Sequence, residues 1–93
     1  MEFIKEKERI YCLDTNGKII AEITFPEVEI GVFEINHTFV DESLRGKGIA
    51  KELVKMALQE IKDKNGEVRA TCSYAKEILK KEQSNFQNND SLG

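Results

Sequence analysis

The sequence predicts one small α+β domain, an antiparallel strand meander followed by strand, helix, strand and helix. Three observations predict it. Strand-like apolar runs punctuated by turn residues extend to Val40, apolar residues then recur at three- and four-residue steps from Ile49 to Ile61, and Asn16-Gly17 marks a tight hairpin. A chain of 93 residues has room for one core and none for a separate substrate-binding domain. Its content, 40% hydrophobic and 33% charged, is that of a chain that folds. A domain of this size buries a modest share of its surface, so a ligand or a second copy of the chain, as in a homodimer, is expected to cover exposed edges.

The elements follow in order. Arg9 to Leu13 and Lys18 to Phe25 form the hairpin around Asp14 to Gly17, and Pro26 ends the return strand because it has no N–H for the ladder. Gly31 marks the next turn. A third strand then runs from Val32 to Val40, and strict alternation would put Phe33, Ile35, His37 and Phe39 on one face and Val32, Glu34, Asn36, Thr38 and Val40 on the other. The helix presents Ile49, Ala50, Leu53, Val54, Ala57, Leu58 and Ile61 to the core. Lys62 and Lys64 suit its negative end, and Asn65-Gly66 provides a left-handed stop. Glu67 to Cys72 reads as a strand, after which Ser73 can cap a short helix carrying Ala75, Ile78 and Leu79 inward. Residues 83–93 are polar and Asn-rich, and read as a mobile tail beyond a domain of residues 1–82.

Charge and composition exclude several function classes. A net charge of −3 gives no basic field for nucleic acid. No apolar run approaches the ~20 residues that span a bilayer, and the first residues lack the apolar region of a secretory signal, so the expected compartment is the cytoplasm, without membrane association. Cys12 and Cys72 stand in separate apolar stretches, with no CxxC pair and no histidine cluster, so no metal is expected and both read as thiols.

The chemistry concentrates between the third strand and the helix, where Val40 is followed by Asp41, Glu42, Ser43, Leu44, Arg45, Gly46, Lys47, Gly48, Ile49, Ala50 and Lys51. The first turn of a helix leaves backbone N–H groups unpaired and carries partial positive charge, so it attracts anions. Gly46 and Gly48 keep side-chain bulk away from those donors, and Arg45, Lys47 and Lys51 add charge, an arrangement suited to a diphosphate. A Walker loop is excluded because Gly48 is followed by Ile49 and Ala50 instead of Lys and Ser or Thr. A dinucleotide fingerprint is excluded because Lys51 stands at the third glycine position.

What remains is R-x-x-G-x-A, formed by Arg45, Gly48 and Ala50 within V-x-x-x-x-R-G-K-G-I-A, and this resembles the coenzyme A motif of the GNAT N-acyltransferase superfamily. The resemblance covers residues 33–82. His37-Thr38 before the loop and Cys72-Ser73-Tyr74-Ala75 after it look like a compact subgroup. It implies a GNAT-like fold in which the strands bearing Val40 and Cys72 run parallel and splay apart to form the coenzyme A cleft. It also implies acetyl-coenzyme A as acyl donor, with backbone groups of Phe39 and Val40 on the pantetheine arm and N–H groups from Gly46 to Lys51 on the pyrophosphate. An amine of a small molecule, a protein lysine or a protein N-terminus would enter from the other side and attack the thioester directly in a ternary complex.

Three side chains are catalytic candidates, each with a plainer reading beside it. Cys72 stands at a strand end and helix start, where a thiol could meet the thioester, or it is a small buried residue. Tyr74 could protonate the leaving thiolate, or it is a core-edge residue. His37, with Glu34, lies on the strand that often carries the family's general base; on a regular strand the two face opposite ways, so only a bulge would turn both to the gap. Longer members of the family place helices between their first strands, where this sequence has a hairpin turn. The acceptor side is thus open, supplied by a partner, or lost, and the alternative to an enzyme is a non-catalytic acyl-coenzyme A binding or protein-interaction module.

Overall fold

A computed structural model describes residues 2–73 and 75–80; Tyr74 and the expected tail, residues 83–93, lie outside the described residues. The elements are β1 (Ile4–Glu6), β2 (Arg9–Leu13), β3 (Ile19–Thr24), β4 (Glu27–Glu29), β5 (Val32–Ile35), β6 (His37–Val40), α1 (Ile49–Asp63), β7 (Glu67–Ala70) and α2 (residues 75–80 of its helical segment). They form two sheets, the antiparallel β1-β2-β3-β6 and the mixed β4-β5-β7, in which β5 and β7 run parallel. This is the predicted α+β class. The short strands β1 and β4 were not legible in the sequence, since three-residue exposed strands carry no alternation to read.

The hairpin forms around Asp14, whose carboxylate accepts from the N–H groups of Asn16 and Lys18 at 2.8 and 2.9 Å, while Gly17 takes φ +82°. The inner row of the first sheet carries Ile10, Cys12, Ala21 and Ile23, all buried. Against it α1 packs Leu53, Val54, Ala57 and Ile61. Each large side chain buried there contributes about 1.5–3 kcal/mol, against about 0.3–1 kcal/mol for a charge at a helix end. Burial therefore decides where α1 sits, and its loop-facing end is carried into place by its core face.

One sequence expectation is corrected and another, the left-handed stop at Asn65-Gly66, holds at Asn65. The strand expected from Val32 to Val40 is two strands, because the chain changes partner at Asn36: β5 pairs with β7, and β6 pairs with β3. Asn36 donates its N–H to the Thr24 carbonyl at 3.3 Å and its side-chain oxygen accepts from the Thr24 hydroxyl at 2.6 Å. The break shifts the alternation by one residue. Phe33 and Ile35 face the core, but His37 and Phe39 turn outward and Thr38 takes the inward row shared with Ile10 and Ile23. At the end of α1, Asn65 alone adopts the left-handed angle, at φ 56°. Gly66 serves close packing instead: a Cβ there would lie 2.8 Å from the Phe33 ring. No described helix is long and apolar enough to cross a membrane.

Candidate functional site

Val40 ends β6 and Asp41 starts the loop by capping a 3-10 turn over Glu42–Leu44. Its carboxylate accepts from the Ser43 hydroxyl at 2.6 Å and the Ser43 N–H at 3.1 Å, and these bonds hold its pKa below the usual carboxylate range. The chain then turns through Gly46 and Gly48, at φ +83° and +73°. A Cβ on either would meet no atom within 4 Å, so the glycines are required by the backbone angle and the approach to the helix end is open. The Gly48 carbonyl accepts the first helical bond, from Glu52 N–H at 3.1 Å. The N–H groups of Ile49, Ala50 and Lys51 lie ahead of that bond, in the position where helix donors have no intrahelical acceptor.

Arg45, Lys47 and Lys51 are exposed and make no ion pair among the described residues. Between residues 41 and 52, however, they stand beside three carboxylates, Asp41, Glu42 and Glu52. The formal charges cancel, so attraction for an anion here rests on oriented N–H groups and the helix dipole more than on a basic patch.

Beside this helix end lies a cleft of about 440 Å³, lined by Thr38 and Val40 of β6, Leu44 and Arg45 of the loop, and Gly46, Gly48, Ile49 and Ala50. Ladder parity decides which backbone groups face it. Asp41 N–H donates to Ile20 carbonyl at 2.8 Å, so in the β3–β6 pairing His37 and Phe39 exchange hydrogen bonds with Thr24 and Glu22. The N–H and C=O groups of Thr38 and Val40 then point away from β3, to the open edge. Phe39, expected with Val40, is turned to the ladder and its ring lies on the outer face; Thr38, noted in the sequence only beside His37, has its backbone groups on the open edge with those of Val40. Its signal was present in the sequence as the residue two before Val40. Lys47 and Lys51 are not among the lining residues.

The parallel pairing of β5 with β7 ends at Ile35, whose carbonyl accepts from Thr71 N–H at 3.1 Å and Cys72 N–H at 3.3 Å. Beyond that point β6 belongs to the other sheet, so the strands ending at Val40 and Ala70 are not paired; the strand expected to reach Cys72 stops at Ala70, and Cys72 lies in a bend before the second helix. Cys72 is half-buried against the core, and its carbonyl accepts from Lys76 N–H at 2.9 Å, so Cys72, in place of Ser73, supplies the first carbonyl of the second helix. Tyr74 lies outside the described residues. His37 is on the outer face, with Nε2 3.4 Å from Glu22 Oε1. Glu22 is also held by Arg9, whose guanidinium stacks 3.9 Å over the Tyr11 ring and whose pKa is raised chiefly by the Glu22 hydrogen bond. Glu34 faces away from Phe33 and Ile35 by the ordinary alternation of β5, and the break at Asn36 turns His37 outward as well. The structure thus unites Val40, Arg45, Gly46, Gly48, Ile49 and Ala50 in one cleft, whose lining does not include Cys72, and puts His37 on the opposite side of the sheet from Thr38.

Comparison with known proteins matches residues 9–88 to the family described as GCN5-related N-acetyl-transferase. Protein NATD1 of Gallus gallus is 34% identical over 75 residues, covering 80% of this chain and 68% of its own length. Protein NATD1 of Homo sapiens is 34% identical over 60 residues, which is 64% of this chain and 53% of its own, so the chain spans about half of that relative. Among solved structures, a GCN5-like N-acetyltransferase of Staphylococcus aureus superimposes with TM-score 0.74 at 34% identity, covering 89% of this chain and 81% of that one. A GNAT-family acetyltransferase from Staphylococcus aureus Mu50, at 17% identity and TM-score 0.61 over 87% of this chain and 49% of that one, shares the fold.

Proposed function

The chain belongs to the GCN5-related N-acetyltransferase family, and from that premise we propose that its cleft binds acetyl-coenzyme A and that the acetyl group passes to an amine. One observation carries the reading: a helix start with three N–H groups ahead of its first hydrogen bond, reached through two left-handed glycines, adjoins the free backbone edge of Thr38 and Val40. The helix start suits a pyrophosphate, with Arg45 at its rim. The strand edge suits the pantetheine arm, whose amides can pair with it as an added strand would. A neutral amine then attacks the thioester carbonyl, and the Val40 N–H is turned toward the gap where the oxyanion would develop. As the C–S bond breaks, the amine gives up a proton and the departing thiolate takes one up.

A specific observation favours a second reading, a module that binds acyl-coenzyme A without turning it over. The outer face of the first sheet has Ile4 and Phe39 39% and 38% exposed, and no described helix covers it. An acceptor site on that side would need a partner.

Calorimetric titration tests the shared premise. Acetyl-coenzyme A is expected to bind, and Gly48→Glu, which puts a carboxylate at the helix start and a side chain at φ +73°, is expected to abolish it. No heat with millimolar acetyl-coenzyme A would end the proposal. Amine-dependent thiol release across a panel of amines, polyamines and lysine peptides then separates enzyme from module, since only the enzyme exceeds the hydrolysis background.

A further inference from the structure

Ile30 is 101% exposed, against 43% for Val28, the next most exposed large apolar residue among those described. A single apolar side chain on a surface is ordinary; this one is set apart by where and how it is held. Glu29 pairs with Val32, so Ile30 and Gly31 make the two-residue turn between β4 and β5, where Gly, Asn and Asp are the usual choices and a β-branched side chain adds nothing to the fold. Gly31 takes φ +77°, its N–H donates to the Glu27 carboxylate at 2.9 Å, and its carbonyl accepts from Glu67 N–H at 2.7 Å. The tip is thus braced on both sides, and a side chain presented on a braced turn loses little freedom on docking. Residues 26–35 include Glu27, Glu29 and Glu34 and no Lys or Arg, so the apolar tip stands among carboxylates. Arg69 approaches Glu29 at 3.5 Å, but both side chains are more than half exposed and such a pair is weak.

A surface that complements this tip lies on α1. Lys51, Lys55, Leu58 and Lys62 recur at helical steps and form one stripe, outside which Glu52, Glu60 and Asp63 fall. None of the three lysines has an ion-pair partner among the described residues. Lys51 and Lys55 are like charges four residues apart, a spacing that weakens a helix unless something offsets it. Lys55, Leu58, Gln59 and Lys62 line a shallow groove of about 280 Å³, and half-buried Leu58 is its apolar part. We propose that two copies of the chain dock reciprocally, the Ile30 tip of each seated on Leu58 in the other's groove, with Glu27 and Glu29 against Lys55 and Lys62. Nucleic acid or a membrane matches the groove less well, since it offers no arginine, no aromatic ring and one half-buried apolar residue, whereas the acidic tip supplies both the charge and the anchor. Tip and groove lie at the same end of the molecule, because Lys62 closely precedes Glu67, whose N–H holds Gly31. Reciprocal docking therefore closes a two-fold dimer in which each contact is made twice. Lys62 stands about 20 Å along α1 from Ile49, so both clefts stay open and the dimer is independent of the acyl-donor reading.

Sedimentation equilibrium of the full chain, from about 10 μM to about 1 mM at low salt, tests this. The weight-average mass of wild type is expected to rise with concentration from that of one chain toward that of two. Ile30→Ser, at an exposed turn position, is expected to weaken association at least about thirtyfold, the effect of losing a central anchor, with the melting temperature of dilute protein unchanged. Glu29→Lys and Lys62→Glu are each expected to weaken it about tenfold, and the chain carrying both to recover most of that loss, because the charges then complement each other in reverse. A wild type that stays monomeric throughout, association that survives Ile30→Ser, a double variant no better than the single ones, or a mass that grows past two copies would each overturn the proposal. An added acidic peptide that binds the groove of a monomeric wild type would give that groove a different occupant.

Discussion

Cys72 shows how little one side chain can decide without its neighbours. Its N–H bonds the Ile35 carbonyl just past the β5–β7 ladder, and its side chain packs against the core, so its position follows from the fold whatever its chemistry. In a covalent route its sulfur would take the acetyl group from the donor thioester, releasing the donor thiol, and pass it to the amine. That route needs a base, and His37 lies across the sheet beside Glu22. Direct attack in a ternary complex is the expected mechanism. Cys72→Ala should then bind acetyl-coenzyme A nearly as well as wild type and keep part of any transfer activity. Intact mass measured after brief incubation with acetyl-coenzyme A, without amine, should show no adduct. A stoichiometric acetyl group on Cys72 that disappears when amine is added would establish the covalent route instead.

At the scale of elements, the partner change at Asn36 and the close of α1 both depend on contacts distant in sequence. Gly66 illustrates this. It follows the left-handed Asn65, and by dipeptide pattern both belong to one turn, yet the glycine is needed because the Phe33 ring crosses its Cα. A methyl there would lie 2.8 Å from two ring carbons and 3.1 Å from Ile61 Cγ2. Phe33 is 4% exposed and also lies under the Lys64 ammonium, 5.2 Å from the ring centre, so it has little room to swing away. Gly66→Ala should therefore cost about 1–3 kcal/mol, the usual penalty for overpacking a filled site. Urea denaturation reads this as a lowered midpoint with unchanged slope; an unchanged midpoint would mean that the ring relaxes freely.

For the whole molecule, small size makes ligand binding a large fraction of stability. A ligand held only by the folded state adds about 2.7 kcal/mol at one hundred times its Kd. In a domain of 60–100 residues each kcal/mol moves the midpoint by about 4–8 °C. Acetyl-coenzyme A at that excess should thus raise Tm by at least about 10 °C, and Gly48→Glu should show no such rise. Differential scanning calorimetry with both proteins checks it; a wild-type Tm indifferent to saturating ligand would contradict the expected linkage. Ile4, Tyr11, Glu22 and Phe39 stand opposite one another across the four strands on the outer face of the first sheet.

Local sequence alone determined the hairpin at Asp14 to Gly17, the apolar face of α1 and the glycine-rich approach to its start, because turn angles, helical period and orphan N–H groups follow from residues adjacent in the chain. The same adjacency made R-x-x-G-x-A legible as Arg45, Gly48 and Ala50. Tertiary structure decided what depends on strand partners. The sequence from Val32 to Val40 carries no glycine or proline and reads as one strand with His37 the single polar residue on its apolar face, and only competition between β7 and β3 for its two halves breaks it at Asn36. A one-residue shift there exchanges every later side chain between the two faces. That shift moved His37 and Phe39 outward, brought Thr38 into the cleft, and set the edge that the ligand is expected to meet, since hydrogen-bond parity belongs to the pair of strands and not to either sequence.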